Sequence, residues 1–333
     1  MNIIIPMAGK GKRMRPHTLT TPKPLLPIAG KTIVQRLVEE ISNVLSENID
    51  EINFVIGEFG RDVEKKLLDI AASIGAKGRI SHQPDPLGTA HAILCAQESL
   101  KGKVIVAYAD TLFKANFTLD TKKAGVIWVK KVDDPSSFGV VMLDNGGRIS
   151  GFAEKPEEHV SDLAIIGIYY FNDGDYLKKE LQYLIDEGIR TAGEFGITDA
   201  LQNMMKKGSA FHTDTVDEWL DCGNKDATVH TNQRILLHHK EKNLISPSAD
   251  IRDSVILKPS YVGEGSRIIN AVVGPYASIG MHTRITKSIV SNSIIQDHTS
   301  IINRIIDNSM VGNYVEMKGR EEDLSIGDYT ISQ

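Results

Sequence analysis

Cysteine is almost missing from this chain: Cys95 and Cys222 are the only two among 333 residues. Two thiols cannot make a disulfide scaffold or a cysteine-built zinc site, and they point to a reducing, cytoplasmic setting. Long apolar runs are missing too. No stretch approaches the roughly 20 apolar residues that cross a bilayer as a helix. Met1–Pro6 has neither the cationic start nor the apolar length of a secretory leader. Positive charge is in deficit, with a net −5, which excludes a globally basic binder of nucleic acid. In the first 38 residues the deficit reverses: Lys10, Lys12, Arg13, Arg15, Lys23, Lys31 and Arg36 stand there without a single Asp or Glu. Gly9, Gly11, Pro16, Pro22, Pro24 and Pro27 lie among them. Glycines let backbone N–H groups approach an anion and prolines stiffen the loop around it, features that a solvated basic helix lacks.

At about 100–200 residues per domain, the length implies two domains or one with an appendage. Up to about residue 240 the pattern is α/β. Ile3–Met7, Asn53–Gly57 and Val104–Tyr108 read as strands, and Ile33–Leu45, Val63–Ile74 and Thr89–Leu100 as helices, an alternation that implies a mostly parallel sheet. Strands then follow in quick succession at Gly125–Val132, Phe138–Leu143, Ile149–Glu154 and Ile165–Phe171, with Asn145-Gly146-Gly147 turning a hairpin. Helices return at Tyr176–Asp186, Ile197–Lys206 and Ala227–Lys242.

Beyond about 243 a six-residue rhythm replaces the helical period: Ile245, Ile251, Val262, Ile268, Val273, Ile279 and Ile285, then less cleanly Ile289, Ile295, Ile301, Ile306 and Val311. It resembles the hexapeptide repeat of the left-handed parallel β-helix. Three hexads make one coil, so residues 245–316 would form about four coils. The expected division is a Rossmann-like α/β domain over 1–240 and a β-helix over 241–333.

The glycine turn Gly9-Lys10-Gly11-Lys12-Arg13 lacks the third glycine of a dinucleotide-binding turn and the G-x-x-x-x-G-K-[ST] spacing of a P-loop. With Pro16 and Thr21-Pro22-Lys23-Pro24 it resembles the signature of the sugar-1-phosphate nucleotidyltransferases, although Ala8 stands for the first glycine and Lys12 for the usual threonine. Gln83–Ala90 is similar to that family's base and ribose segment, and Ala107-Tyr108-Ala109-Asp110 to its metal-binding strand end. Phe138-Gly139 and Phe152-Ala153-Glu154-Lys155-Pro156 match its sugar site, Glu194–Asp199 its E-x-x-[IL]-T-D segment, and Trp219-Leu220-Asp221-Cys222-Gly223 its W-x-D-x-G. The spellings lie nearest the glucose-1-phosphate thymidylyltransferase branch.

The resemblance implies attack of a sugar 1-phosphate oxygen on the α-phosphorus of a nucleoside triphosphate, with release of pyrophosphate. The nucleophile is already an anion, so alignment and charge neutralisation carry the reaction, in keeping with the lack of a recognisable Ser-His-Asp or Cys-His set. On this reading Ala8, Gly9, Gly11 and Lys12 cradle the triphosphate, and Arg13 grips pyrophosphate with its bidentate fork. Lys23 neutralises the reacting phosphates. Gln83, Gly88 and Thr89 lie at the nucleoside, Gly139, Glu154 and Lys155 at the sugar phosphate, and Asp110 and Asp221 hold Mg²⁺. Partners are the two substrates, neither nucleic acid nor membrane, with self-association through the flat β-helix faces. Three other readings stay open: a GDP-mannose-type pyrophosphorylase, a bifunctional enzyme whose coils transfer an acyl group with His282 or His298 as base, and a non-catalytic paralogue.

Overall fold

The computed structural model describes residues 1–156, 158–191, 193–321, 325–329 and 331. They form two compact units: Met1–Leu26 with Thr32–Gly223, and Pro27–Lys31 with Asn224–Gln333.

The first unit is built on a nine-stranded mixed sheet. Its parallel half comprises β1 (Asn2–Pro6), β2 (Glu51–Ile56), β3 (Lys77–His82) and β4 (Val104–Ala107), in the order β3-β2-β1-β4. Ile3, Ile4 and Ile5 are fully buried, as are Val104, Ile105 and Val106, because a central parallel strand is covered on both faces. Helix α1 (Ile33–Asn43) starts where the Thr32 hydroxyl accepts from the Gln35 amide, and it buries Ile33, Val34, Leu37, Val38 and Ile41. Each such side chain contributes about 1.5–3 kcal/mol when removed from water. Helices α2 (Arg61–Ser73) and α3 (Thr89–Leu94) complete this half. The expected helix 89–100 ends at Leu94, where the Cys95, Ala96 and Gln97 amides close successive turns.

Next come β5 (Thr111–Lys114), β6 (Gly125–Lys131), the hairpin of β7 (Gly139–Leu143) and β8 (Ile149–Glu154), and β9 (Leu163–Phe171). After them follow α4 (Gly174–Asp186), α5 (Ile197–Lys206), β10 (Phe211–Thr215) and β11 (Glu218–Asp221). β9 runs antiparallel to β4, β6 and β7, and this joins the parallel half to the hairpin. Strands β3, β5, β10 and β11, absent from the sequence reading, carry polar residues such as Lys77, His82, His212, Asp214 and Glu218, so periodicity alone does not show them.

In the second unit, α6 (Lys225–His238) is capped by Asn224 accepting from the Ala227 amide. After it, short strands stack in parallel in three sheets, with rows beginning at Asp250, Val255 and Tyr261. This is the expected parallel β-helix, with a different period. Residues Asp250, Arg267, Arg284, Ser300 and Glu316 are register partners, so successive coils take 17, 17, 16 and 16 residues rather than 18. One or two corners per coil are a residue shorter than a hexad. The inward residue is therefore Val290, fully buried, and not Ile289, which is 44% exposed. Corners turn through residues with positive φ, among them Asp253, Asn270, Lys287 and Asn303 in one column. Inside, Ser266, Thr283 and Thr299 donate to the carbonyls of Gly280, Gln296 and Gly312, keeping buried hydroxyls satisfied.

Candidate active site

Open α/β sheets bind ligands outside the carboxyl ends of their strands, where the order reverses. In β3-β2-β1-β4 that place lies between β1 and β4. Leaving β1, the chain turns at Gly11, whose φ of 57° is left-handed; the Thr18 hydroxyl donates to its carbonyl at 2.8 Å. A Cβ at Gly11 would meet Thr18 Cγ2 at 3.0 Å and Lys23 Cβ at 3.2 Å, so the turn needs glycine for both conformation and space. A short 3₁₀ turn at Lys12–Met14 buries Met14 and leaves Lys12 and Arg13 exposed. A second, at Lys23–Leu25, buries Pro24 and Leu25 and presents Lys23. Its ammonium donates to Asp110 Oδ2 at 2.8 Å.

Asp110 follows β4, and backbone pairing brings Asp221 beside it. Strand β11 runs antiparallel to β5 with Asp221 opposite Thr111, and the Cys222 amide donates to the Asp110 carbonyl at 3.0 Å. Solvent reaches Asp221, yet the surrounding chain pushes its carboxyl above the usual range. The Gly223 amide opposes this, the Asp110 charge adds to it, and Lys23 and Arg13 oppose it. Four charged groups thus act on one another here.

A cavity of about 450 Å³ opens at this point, lined by Gly9, Gly11, Lys12, Arg13, Lys23, Thr89, Tyr108, Asp110 and Gly223 among others. A smaller one, about 230 Å³, shares Gly9, Thr89 and Tyr108 with it and adds Ala8, Gln83, Pro86, Gly88 and Glu194. The two are parts of one cleft. Gly88 has a φ of 118°, and a Cβ there would lie 2.5 Å from the Phe195 carbonyl oxygen. The α3 start is thereby locked against the 194–195 segment, and Thr89 Oγ1 accepts from the Ile197 amide at 3.0 Å. Gln83 Nε2 donates to the Gly88 carbonyl at 3.3 Å.

Gly139, Glu154 and Lys155 sit together on the β7–β8 hairpin, outside both cavity walls. Gly139 pairs with Glu154, and a Cβ on it would meet Glu154 Oε2 at 2.8 Å. Lys155 has a φ of 44°, and its amide donates to the Phe138 carbonyl at 3.1 Å. The Phe138 ring packs edge-on against Trp219 at 4.8 Å between centroids. The Glu154 charge adds a minor part to the raised pKa of the Tyr108 phenol.

Tyr108 and Glu194 line the cleft without having been singled out; both lay inside the motifs, but nothing in a linear motif says which of its side chains turns inward. Burial drives the Tyr108 phenol far above its ordinary value, against a smaller opposing effect of Thr89. The two carboxylates fit a hard divalent cation. They supply oxygen donors only, and among the described residues no group of three His, Cys, Asp or Glu could hold a metal without further ligands. Such a site leaves coordination positions for phosphate oxygens and water, as magnesium requires.

The match to known proteins falls on this same segment: the Nucleotidyl transferase family aligns with residues 2–237. This chain belongs to that family. The transferase is 29% identical over 318 residues to a glucose-1-phosphate thymidylyltransferase of Streptomyces antibioticus, covering 89% of this chain and 87% of that one. It is 31% identical over 260 residues to the bifunctional protein GlmU of Methanocaldococcus jannaschii, covering 78% of this chain and 60% of that one. Among solved structures, a nucleoside-diphosphate-sugar pyrophosphorylase from Vibrio cholerae superposes with a TM-score of 0.59 at 21% identity, over 69% of this chain and 99% of that one. At that identity the likeness concerns the fold of the transferase. Among the described residues no helix is long and apolar enough to cross a membrane.

Proposed function

We propose that this nucleotidyltransferase joins the nucleotidyl group of dTTP or UTP to glucose 1-phosphate and releases pyrophosphate. The observation that carries the reading is the cleft at the β1–β4 switch, where a glycine turn, Arg13 and Lys23 face the carboxylates Asp110 and Asp221. Backbone amides of residues 8–12 hold the triphosphate, Arg13 grips the leaving pyrophosphate, and Lys23 neutralises the reacting phosphates. Gln83, Gly88 and Thr89 bound the nucleoside end. Gly139 and Glu154 take sugar hydroxyls, and Lys155 holds the sugar phosphate. Asp110 and Asp221 would hold Mg²⁺, which supplies charge neutralisation at the triphosphate when bound. With the nucleophile already an anion, no residue needs to remove a proton.

Neither Cys95 nor Cys222 is joined in a disulfide, in keeping with a cytoplasmic enzyme. Residues 1–240 would carry catalysis, with the β-helix serving assembly. A pyrophosphate-release matrix of dTTP, UTP, GTP, ATP and CTP against glucose, galactose, mannose and glucosamine 1-phosphates tests the assignment. Fastest turnover with dTTP or UTP and glucose 1-phosphate is expected, whereas GTP with mannose 1-phosphate in first place would replace it with the GDP-mannose type. The relatives named bifunctional keep an acyl-transfer reading in view. Against it, the His282 and His298 rings stack on each other at 5.2 Å, and neither has a carboxylate partner among the described residues to orient it as a base. Thiol release from acetyl-coenzyme A in the presence of glucosamine 1-phosphate would decide for it.

A further inference from the structure

His91 is half-buried on α3, and its ring meets the side chain of Gln83, which lines the smaller part of the cleft. We propose that His91 is a positioning residue for base selection: it holds the Gln83 amide so that only Oε1 is offered to the base. The inference rests on the reading of Gln83 at the nucleoside end given above and extends it to the rule by which bases are accepted.

The orientation of the amide follows from its neighbours. The Gly88 carbonyl lies 3.3 Å from one end of it, and a carbonyl only accepts, so that end is Nε2. The same atom lies 3.3 Å from His91 Nδ1. An amide nitrogen only donates, so Nδ1 accepts and the ring proton sits on Nε2. That nitrogen faces Cys95 Sγ at 3.9 Å, four residues on. Burial pushes the Cys95 thiol above its usual pKa, so the group beside the ring stays uncharged.

The backbone on either side is fixed. The Gln83 main-chain amide donates to the Ile56 carbonyl at 2.8 Å, at the end of β2. The first turn of α3 is tied down where the Ala90 amide donates to the Phe195 carbonyl at 2.9 Å. The Gly88 carbonyl also accepts from the Ala92 amide at 3.1 Å, so Gln83 shares that acceptor and His91 supplies the second hold. With both side-chain N–H bonds engaged, Oε1 is the one polar atom of the amide left for a ligand. It accepts from a base that turns a ring N–H towards it: N3–H of uracil and thymine, or N1–H of guanine. Cytosine N3 and adenine N1 carry a lone pair there instead and are repelled. Without His91 one N–H is released, the amide can turn, and Nε2 can then donate to cytosine N3.

UTP and CTP differ only at positions 3 and 4 of the base, so the test is the ratio between them in the full chain. It is read twice: from kcat/KM with the sugar 1-phosphate that turns over fastest in the matrix above, and from the two dissociation constants by calorimetry. The second reading does not depend on the sugar. The unaltered chain is expected to favour UTP. His91→Leu is expected to lower that preference by about 3- to 10-fold in both readings, the scale of one hydrogen bond. His91→Asn, whose Oδ1 can stand where Nδ1 stood, is expected to bring it back to within about twofold. A merely structural loss slows UTP and CTP alike and is not repaired by Asn. Should His91→Leu fail to fold, His91→Ala takes its place under the same criteria. An unchanged ratio in His91→Leu overturns the inference, as does an equal fall in His91→Asn. Gln83→Leu separates the two levels. An unchanged UTP preference in that variant, or a preference for CTP in the unaltered chain, overturns the reading of the nucleoside end itself and the inference with it. A preference lost in Gln83→Leu but kept in His91→Leu leaves that reading standing and removes only the role of His91.

Discussion

At the scale of single residues, the cleft holds opposed charges in contact. Lys23 rests on Asp110, a carboxylate that would also face a metal ion. Lys23→Met removes that competing cation. It should tighten Mn²⁺ binding by the nucleotide-free protein roughly fivefold, the scale of about 1 kcal/mol for a partly exposed pair, while turnover is lost. Titration calorimetry checks this, and unchanged affinity would count against the competition. Gly139 makes a second case. Its missing side chain leaves room for the Glu154 carboxylate, so Gly139→Ala should displace that acceptor. A rise of about tenfold or more in KM for the sugar phosphate, with KM for the triphosphate little changed, is expected from a lost hydrogen bond to a charged group. Most of these residues were legible in sequence because the chemistry demands glycine, Arg, Lys and Asp as types. The close approach of Gly88 to Phe195 was not, since 107 positions separate the two and only folding brings them together.

At the scale of elements, the β7–β8 turn is held by Asp144, whose carboxylate accepts from the Gly146 and Arg148 amides at 2.8 and 2.9 Å. The Arg148 amide, more than the Gly146 amide and the Arg148 charge, holds its pKa below the usual 3.8. A carboxyl with a depressed folded pKa contributes stability that is fully present above its unfolded value and is lost as pH falls through the folded one. Asp144→Ala should therefore lower the melting temperature at pH 7, and the difference from the wild type should shrink once pH drops below 3.8. A constant difference down to pH 2 would contradict this. In the β-helix the test of register is direct. Val290→Ser should cost roughly 2–3 kcal/mol by removing a buried side chain and burying a hydroxyl, whereas Ile289→Ser should change little. The sequence rhythm located the β-helix but misplaced this residue. A run of Ile, Val and Ser fits either neighbour equally well, and only the five-residue corner decides between them.

At the scale of the whole molecule, exposed Val255, Ile289 and Ile305 lie in the parallel rows of one β-helix sheet. Such a flat apolar face favours association with another copy. Light scattering at micromolar concentration should give more than one chain per particle, and replacing Ile289 and Ile305 with Lys should bring it to the monomer. The two-part organisation was readable because helical and hexad periods differ so plainly. That Pro27–Lys31 belongs with the second unit was not readable, since the segment carries no repeat and its partner Asn232 lies some 200 positions away. The two tryptophans give the protein an internal optical assay. Trp128 is sealed in the core between Phe113 and Phe117, so its emission should change only on unfolding. Trp219, two residues before Asp221 and against Phe138, should respond when metal or substrate arrives. A Trp128→Phe chain would then report occupancy of the cleft by fluorescence alone, before any product is made.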